Sequence, residues 1–257
     1  MCRLIGYVSA APVTVAGLVD PDELAVFTSL STEHKDGWGV GWRRADGGVA
    51  VLKGTGQAWQ ESAYHRHLAQ VASDQQIVHL RKASAGMVVE PTNCHPFVEG
   101  DVAFCHNGQF DISPALLQSV VDRHGRPREG TTDSEFFFAL VLLHARTLPW
   151  PEAIAAAVRE IVADTRSVDA DDMPEAVNCL LTTPDALYAY NQFFQPKVKP
   201  TSPPDTYRMQ WAIRDDAVIV TSSCWPLDGV QPMPVRRVVQ VDRGSLRVTV
   251  HPTVDLD

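Results

Sequence analysis

The order of the predicted secondary structure constrains the fold of this 257-residue chain more than any other feature of its sequence. Short β-branched and apolar runs, typical of strands, dominate the first and last thirds, and longer periodic segments, typical of helices, fill the middle. The predicted strands cover residues 2–8, 38–44, 49–53, 77–81, 102–106, 176–182, 187–191, 207–214, 217–222, 236–242 and 245–250. This order predicts an α+β fold in which helices cover the faces of sheets.

The predicted helices carry start and stop signals. Ser113, followed by a proline, is a good N-cap, and Gly125 ends that helix. The other predicted helices cover residues 60–73, 133–146 and 151–165. We expect an acidic, solvated loop at 164–175 and an exposed loop at 195–206, which contains four prolines.

Composition narrows the class of protein. With 45% hydrophobic and 21% charged residues, the chain has enough of both for one core with a solvated surface. The formal charge of −9 and the lack of any Lys/Arg run exclude a basic nucleic-acid-binding protein. Because no uncharged apolar run is long enough to span a bilayer, we expect no membrane contact. We therefore expect a cytoplasmic protein with a single domain over residues 1–257.

The cysteines and histidines do not predict a redox motif or a metal centre. Five cysteines are sparse and odd in number, and no two form a C-x-x-C pair, so a disulfide framework is not expected. His79, His95 and His106 match no familiar zinc spacing, which favours core or turn histidines. The sequence predicts neither a metal nor a cofactor.

The thiol of Cys2 is the first candidate for chemistry. Removal of Met1, which the small size of cysteine allows, would make Cys2 the first residue. Its α-amine, with an ordinary pKa of about 7.7–8.0, is then partly neutral near pH 7 and can take the proton of the thiol. The alternative is a cysteine that packs as a small hydrophobic residue.

A candidate oxyanion hole follows the predicted strand 102–106. The side-chain amide of Asn107 and the backbone N–H of Gly108 are consecutive donors, and both can point at one oxygen. The alternative is an ordinary Asn-Gly turn.

Two further positions are suited to the charged groups of a free amino acid. The planar guanidinium of Arg81, with the hydroxyl of Ser84 nearby, is a good receptor for an α-carboxylate. The carboxylate of Asp133 can bind an α-ammonium group, although an aspartate before an apolar helix is also an ordinary N-cap. Together with Cys2 and the candidate oxyanion hole, these residues meet the needs of an amino acid that presents a side-chain amide.

Six motifs in order give the sequence a family resemblance. They are Cys2 with Arg3 and Gly6, residues 36–39 (DGWG), 81–86 (RKASAG), 93–97 (NCHPF), 106–108 (HNG) and 132–135 (TDSE). The series resembles the class II glutamine amidotransferases, which are N-terminal-nucleophile (Ntn) hydrolases with a four-layer αββα sandwich. The motifs span residues 2–135, and the β-rich remainder fits the rest of such a sandwich.

The resemblance implies a role for each matching residue. Cys2 would be the nucleophile and its α-amine the general base, and Asn107 and Gly108 would form the oxyanion hole. Arg81 would hold the glutamine carboxylate with support from Ser84, and Asp133 would hold the ammonium group. The DGWG and NCHPF motifs look architectural. Lys82 departs from the tryptophan that some amidotransferases place after the arginine.

The length of the chain leaves its reaction open. From the 257 residues we expect no fused synthase domain, so an ammonia acceptor would require a separate synthase subunit. The chain also resembles a short, standalone group that includes the γ-glutamyl amide hydrolase of ergothioneine biosynthesis. Both reactions share a small-molecule substrate with a γ-glutamyl head. Two other classes stay open: a non-catalytic scaffold that senses glutamine, and a redox-sensing thiol protein.

Overall fold

The computed structural model describes residues 2–84, 86–124, 129–169, 172–194, 206–223 and 225–256. The strands are β1 (Arg3–Val13), β2 (Trp38–Arg43), β3 (Val49–Gly54), β4 (Ser73–Leu80), β5 (Phe97–Glu99), β6 (Val102–Gln109), β7 (Ala176–Thr182), β8 (Ala186–Tyr190), β9 (Met209–Ile213), β10 (Ala217–Ser222), β11 (Gln231–Pro232), β12 (Arg237–Asp242) and β13 (Val248–Thr253). The helices are α1 (Val15–Leu18), α2 (Pro21–Ser29), α3 (Ser62–Gln70), α4 (Pro114–His124), α5 (Asp133–Ala145) and α6 (Trp150–Val168).

The strands form two antiparallel sheets. Sheet 1 has seven strands in the order β11-β9-β10-β1-β4-β2-β3, and sheet 2 has six in the order β13-β12-β8-β7-β6-β5. β1 lies at the centre of sheet 1 and pairs with both β10 and β4. β6 pairs with β5 and β7 in sheet 2. The first residues of the chain are thus built into a sheet together with strands from its last third.

Three apolar clusters show that the sheets and helices are stacked in four layers. Side chains alternate along a strand, so each sheet presents one set of residues to helices and another to the facing sheet. In β1, Ile5 and Tyr7 pack with residues of α1, α2 and α3, while Leu4 and Val8 pack against sheet 2. In β6, Phe104 packs with α5 and α6, whereas Cys105 faces sheet 1. The predicted α+β class and the αββα order are therefore confirmed.

Most predicted elements are confirmed, with corrections at their ends. The helix predicted over 60–73 ends at Gln70, because Ser73 already belongs to β4. The acidic loop expected at 164–175 is wrong in its first part: α6 continues to Val168, and Thr165 is buried on its apolar side. The last predicted strand is shifted to 248–253. The sequence reading missed α1, α2, β5 and β11.

Some predictions fall outside the described residues. The helix stop at Gly125 and residues 195–205 of the proline-containing loop are among them. Within the described ranges, no helix combines the length and the apolar character needed to cross a membrane.

Candidate active site

Cys2 stands directly before β1, on the face of sheet 1 that is covered by sheet 2. It precedes Leu4 by two residues, and Leu4 belongs to the core between the sheets. The pairing of Arg3 with Leu80 places Cys2 alongside Arg81 at the end of β4. Cys2 is 8% exposed, and its thiol donates to the carbonyl oxygen of Lys82 at 3.9 Å.

Asn107 meets Cys2 from the opposite sheet. It lies in β6 two residues after Cys105, which faces sheet 1. The backbone nitrogen of Cys2 donates to Oδ1 of Asn107 at 2.9 Å. The Nδ2 atom of the same amide is buried and has no hydrogen-bond partner among the described residues. A buried N–H without an acceptor costs free energy, so this donor is available for an oxygen placed next to Cys2.

Gly108 has a packing reason to be glycine. A side-chain carbon at this position would collide with the carbonyl oxygen of Ala176 in β7 and with the ring of His106. The alternative interpretation, an ordinary Asn-Gly turn, is wrong, because both residues lie inside β6. The two consecutive donors of the candidate oxyanion hole are thus held by strand pairing with β7.

Arg81 is buried and shapes the loop that follows β4. Its guanidinium donates to the carbonyl oxygens of Asp36 at 3.1 Å and of Val88 at 3.4 Å. The carboxylate of Asp36 in turn accepts from the backbone N–H of Ala83 at 2.9 Å. Because a guanidinium has five N–H donors, these two bonds leave capacity for an incoming carboxylate.

Ser84 connects this loop to β6. Its hydroxyl donates to Oε1 of Gln109, the last residue of β6, at 3.0 Å. The sequence reading assigned no role to Gln109. The hydroxyl of Ser84, which we expected to bind an α-carboxylate, therefore joins the loop after β4 to the end of β6 in this structure.

Asp133 is the first residue of α5, but it is not the N-cap. That position belongs to Thr132, whose side chain accepts from the backbone N–H of Glu135 at 3.1 Å. The carboxylate of Asp133 instead accepts from the backbone N–H of Phe110 at 3.1 Å. Phe110 directly follows β6, so this bond places a carboxylate at the same strand end as Ser84 and Gln109.

A histidine and a serine connect the candidate oxyanion hole to Asp133. Nε2 of His106 lies 3.3 Å from the carbonyl oxygen of Ala176, and its Nδ1 lies 2.8 Å from Oγ of Ser134. Because the carbonyl can only accept, Nε2 carries the proton and Nδ1 accepts from the serine hydroxyl. Burial lowers the pKa of His106, which keeps the ring neutral.

Two further histidines are buried behind the site. The rings of His79 and His95 stack with centroids 4.0 Å apart, and burial lowers the pKa of each well below its ordinary value. Neither ring nitrogen of His95 has a partner among the described residues. Among all the residues that the structure describes, no three His, Cys, Asp or Glu side chains are grouped to hold a metal ion.

The DGWG and NCHPF motifs pack against each other. A side chain on Gly39 would collide with the backbone carbonyl of His95, and one on Gly41 would meet the ring of Pro96 at 2.9 Å. Gly37 has a φ of 128°, and a side chain there would also reach the thiol of Cys94. Small residues in β2 thus let the segment that carries His95 lie directly on the sheet.

The sequence analysis assigned no role to several polar residues around Cys2. Arg3 is buried and donates to the carbonyl oxygen of Cys2 at 2.9 Å. Asn178, paired with Asn107 in the sheet, donates to the carbonyl oxygen of Tyr207 at 2.6 Å. Burial first, and then the negative charge of Glu175 and a hydrogen bond to it, raise the pKa of the Tyr207 hydroxyl. A lone asparagine in the apolar strand AVNCLLT was a signal that would have identified Asn178.

The structure thus brings the six predicted residues to one end of the sandwich. Cys2 and Asn107 touch directly, Arg81 lies on the strand beside Cys2, and Gly108 follows Asn107 in β6. Ser84 and Asp133 bond to the end of β6 and the residue after it. The four described cysteines, Cys2, Cys94, Cys105 and Cys179, are buried and free; Cys224 lies outside the described residues.

Curated relatives match much of the chain at low identity. An uncharacterized protein of Methanocaldococcus jannaschii is 29% identical over 75% of this chain and 51% of its own length. A probable glutamine amidotransferase of Saccharomyces cerevisiae is 28% identical over 55% of this chain and 45% of its own. The gamma-glutamyl-hercynylcysteine sulfoxide hydrolase of Mycolicibacterium smegmatis is 26% identical over 63% of this chain and 69% of its own. The chain therefore spans about half the length of the first two relatives.

Solved structures show the fold of this chain, and a family model shows its family. A glutamine aminotransferase class-II domain protein from Silicibacter pomeroyi superposes with a TM-score of 0.66 at 17% identity, covering 99% of this chain and 100% of that one. The shared fold is the αββα sandwich of the Ntn-hydrolase amidotransferases. The profile described as "Glutamine amidotransferases class-II" matches residues 1–216. The chain is therefore a member of the class II glutamine amidotransferase family.

Proposed function

We propose that this chain hydrolyses the side-chain amide of glutamine or of a γ-glutamyl compound through a thioester on Cys2. One observation carries the proposal: the nitrogen of Cys2 is bound to Oδ1 of Asn107, and Nδ2 of the same amide is left without a partner among the described residues. A nucleophile and an oxyanion donor are thereby fixed to each other before any substrate arrives.

Removal of Met1 precedes the reaction and turns the nitrogen of Cys2 into an α-amine. That amine keeps an N–H for Asn107 and offers its lone pair to the thiol proton. The thiolate attacks the amide carbon, and the oxyanion that forms accepts from Nδ2 of Asn107 and from the N–H of Gly108. Collapse breaks the C–N bond, and the proton held by the α-amine goes to the leaving nitrogen as ammonia or an amine.

Hydrolysis of the thioester completes the cycle. Water gives one proton to the α-amine of Cys2 and attacks the thioester carbon, again through an oxyanion held by Asn107. Breaking the C–S bond returns the proton to the thiolate and releases glutamate. The whole cycle uses groups of this chain and consumes one water molecule.

Three charged or polar groups would select the γ-glutamyl head. The buried guanidinium of Arg81 binds the α-carboxylate, and the hydroxyl of Ser84 supports it by exchanging its bond to Gln109. The carboxylate of Asp133, held by the backbone N–H of Phe110, binds the α-ammonium group. Glutamine and every γ-glutamyl amide share these two charges, so the three contacts do not depend on the leaving amine.

A dedicated γ-glutamyl amide hydrolase is the second candidate, because the gamma-glutamyl-hercynylcysteine sulfoxide hydrolase of Mycolicibacterium smegmatis matches 63% of this chain. In the first candidate, ammonia passes to an acceptor on a separate synthase subunit. We further propose that residues 1–257 form one amidotransferase domain in either case. A glutamine-sensing scaffold without catalysis is the third candidate.

A substrate panel separates the three candidates. The protein is incubated with glutamine and with γ-glutamyl amides of increasing size, and released glutamate is followed, with Cys2→Ala as the control without a nucleophile. Faster release from a substituted amide than from glutamine supports the dedicated hydrolase. Release from glutamine that rises on adding a synthase subunit supports the amidotransferase. Saturable glutamine binding without glutamate release would contradict catalysis and leave the sensing scaffold.

A further inference from the structure

A cavity separate from the candidate active site lies at the edge of the sandwich, where the two sheets meet α4 and α5. Its volume is about 140 Å³. Its wall is mixed: one part is apolar, with Phe97, Leu117, Val120, Phe136, Ala139 and Leu142, and the rest is polar and includes three glutamates. None of the six residues assigned to the amide-cleaving site lines it.

One cation, Lys53 of β3, lines this cavity. The ammonium group stands 5.5 Å from the centroid of the Phe97 ring, and the side chain is partly buried. Within the described ranges it makes no direct hydrogen bond or ion pair. Burial lowers the pKa of Lys53, which reflects an ammonium group removed from water without a contacting anion.

The acidic residues at the cavity do not satisfy Lys53. Both carboxylate oxygens of Glu135 are engaged, one by the backbone N–H of Glu129 at 2.7 Å and one by that of Gly130 at 2.9 Å. Glu129 itself is exposed, and both glutamates act on Lys53 through space rather than by contact. Glu99 already has an interaction of its own. Among the described residues that line the cavity, Lys53 is thus the one cation, and its ammonium group contacts neither Glu129 nor Glu135.

We propose that this cavity binds a small carboxylate with an apolar body. The carboxylate pairs with Lys53, and the body lies against Phe97, Leu117 and Phe136. The volume matches the roughly 150 Å³ of a cavity that accepts benzene, so the body has the size of a branched aliphatic chain or one ring. A single cation surrounded by glutamates favours a singly charged ligand over a phosphate, because each added negative charge is repelled.

Isovalerate and benzoate are suitable probes, with isovaleramide and benzamide as uncharged counterparts. Calorimetric titration of the full chain should show saturable binding of at least one carboxylate, about tenfold tighter than its amide. Lys53→Met keeps the length of the side chain without its charge and should weaken carboxylate binding by about tenfold. Lys35→Met, at an exposed lysine, is the matched control and should bind as the unaltered protein does.

Two further measurements keep the result specific to this cavity. Saturating glutamine, added to the Cys2→Ala protein, should leave carboxylate binding unchanged, because glutamine would occupy Arg81 and not Lys53. Val121→Trp, at a residue of the cavity wall that is 38% exposed, should fill the space and weaken binding without disturbing the core.

Four outcomes would overturn the proposal. They are no saturable binding of either carboxylate, equal affinity for a carboxylate and its amide, undiminished binding by a folded Lys53→Met protein, and displacement of the carboxylate by glutamine. Thermal unfolding of each variant establishes that it is folded.

Discussion

The backbone nitrogen of Cys2 and the side-chain oxygen of Asn107 are joined by a 2.9 Å hydrogen bond between residues 105 positions apart. Cys2 precedes the central strand of sheet 1, and Asn107 belongs to sheet 2. The bond therefore fixes the distance between the proposed nucleophile and the proposed oxyanion donor through the packing of the two sheets. Because Leu4 and Cys105 fill the layer just behind it, this distance depends on a close-packed core.

Replacing Asn107 tests the oxyanion donor. Asn107→Ala removes both Nδ2 and the acceptor for the nitrogen of Cys2, so we expect kcat for glutamate release to fall by about 10²- to 10³-fold. Initial-rate kinetics with glutamine measure the change. The matched control is Asn178→Ala, the neighbouring buried asparagine, which is expected to affect stability more than kcat. Undiminished kcat in Asn107→Ala would contradict the assignment.

Replacing Asp133 tests recognition of the ammonium group. Asp133→Asn keeps the shape of the side chain and can keep the bond from Phe110, but it loses the charge and, because one oxygen becomes an NH2 group, the bond from the backbone N–H of Ser134. We expect KM for glutamine to rise by about 10- to 100-fold, because a hydrogen bond between charged partners is lost. Asp111→Asn, at an exposed aspartate, is the control. An unchanged KM in Asp133→Asn would place the ammonium group elsewhere.

A backbone contact explains why residue 39 is glycine. A side chain in Gly39→Ala collides with the carbonyl of His95, and backbone gives way less easily than a side chain. We expect the free energy of unfolding to fall by about 2 kcal/mol, measured by urea titration. In the control Gly48→Ala, the added carbon meets mainly the flexible end of Arg44, and the change should stay within about 0.5 kcal/mol. Equal stability of the two variants would refute the contact.

The buried histidines predict acid sensitivity. Burial lowers the pKa of His79, His95 and His106, so the unfolded chain binds more protons than the folded one once the pH falls below about 6.5. Stability is therefore present above that pH and is lost below it, by up to about 1.4 kcal/mol per pH unit for each histidine.

Urea titrations between pH 7.5 and pH 5, chosen about the ordinary histidine pKa, measure this loss. His95→Phe keeps the ring but removes one titrating group, so its stability should fall less steeply with acid than that of the unaltered protein. His65→Phe, at an exposed position, is the matched control for the exchange of an imidazole for a phenyl ring. A flat profile for the unaltered protein would contradict this account, because it would mean that the folded and unfolded states bind equal numbers of protons.

Local sequence signals accounted for most of the fold. Alternation and β-branched residues identified the long strands, because half-buried strands need those side chains. α2 was missed even though Asp20 caps it and proline occupies its first position. β11 contains only two residues, one of them a proline, so it carries no strand pattern. The continuation of α6 depended on the burial of Thr165, which is a tertiary feature.

In the candidate site too, part of the arrangement followed from local sequence signals and part depended on tertiary structure. Motifs identified the residue types, but the pairing of Arg3 with Leu80, which sets Cys2 beside Arg81, joins residues 77 positions apart and has no local signature. The choice of Thr132 over Asp133 as the N-cap was equally hidden, since both residue types cap helices. Asp133 is free to bond to Phe110 because its neighbour caps the helix.

The identity of the covalent intermediate tests the central claim most directly. The protein is mixed with glutamine, quenched in acid within one turnover, digested and analysed by mass spectrometry, with Cys2→Ala treated in parallel. We expect a mature chain without Met1, a γ-glutamyl group on the thiol of Cys2, and neither adduct nor glutamate from Cys2→Ala. A γ-glutamyl group on another residue, or glutamate released at the unaltered rate by folded Cys2→Ala, would contradict the account.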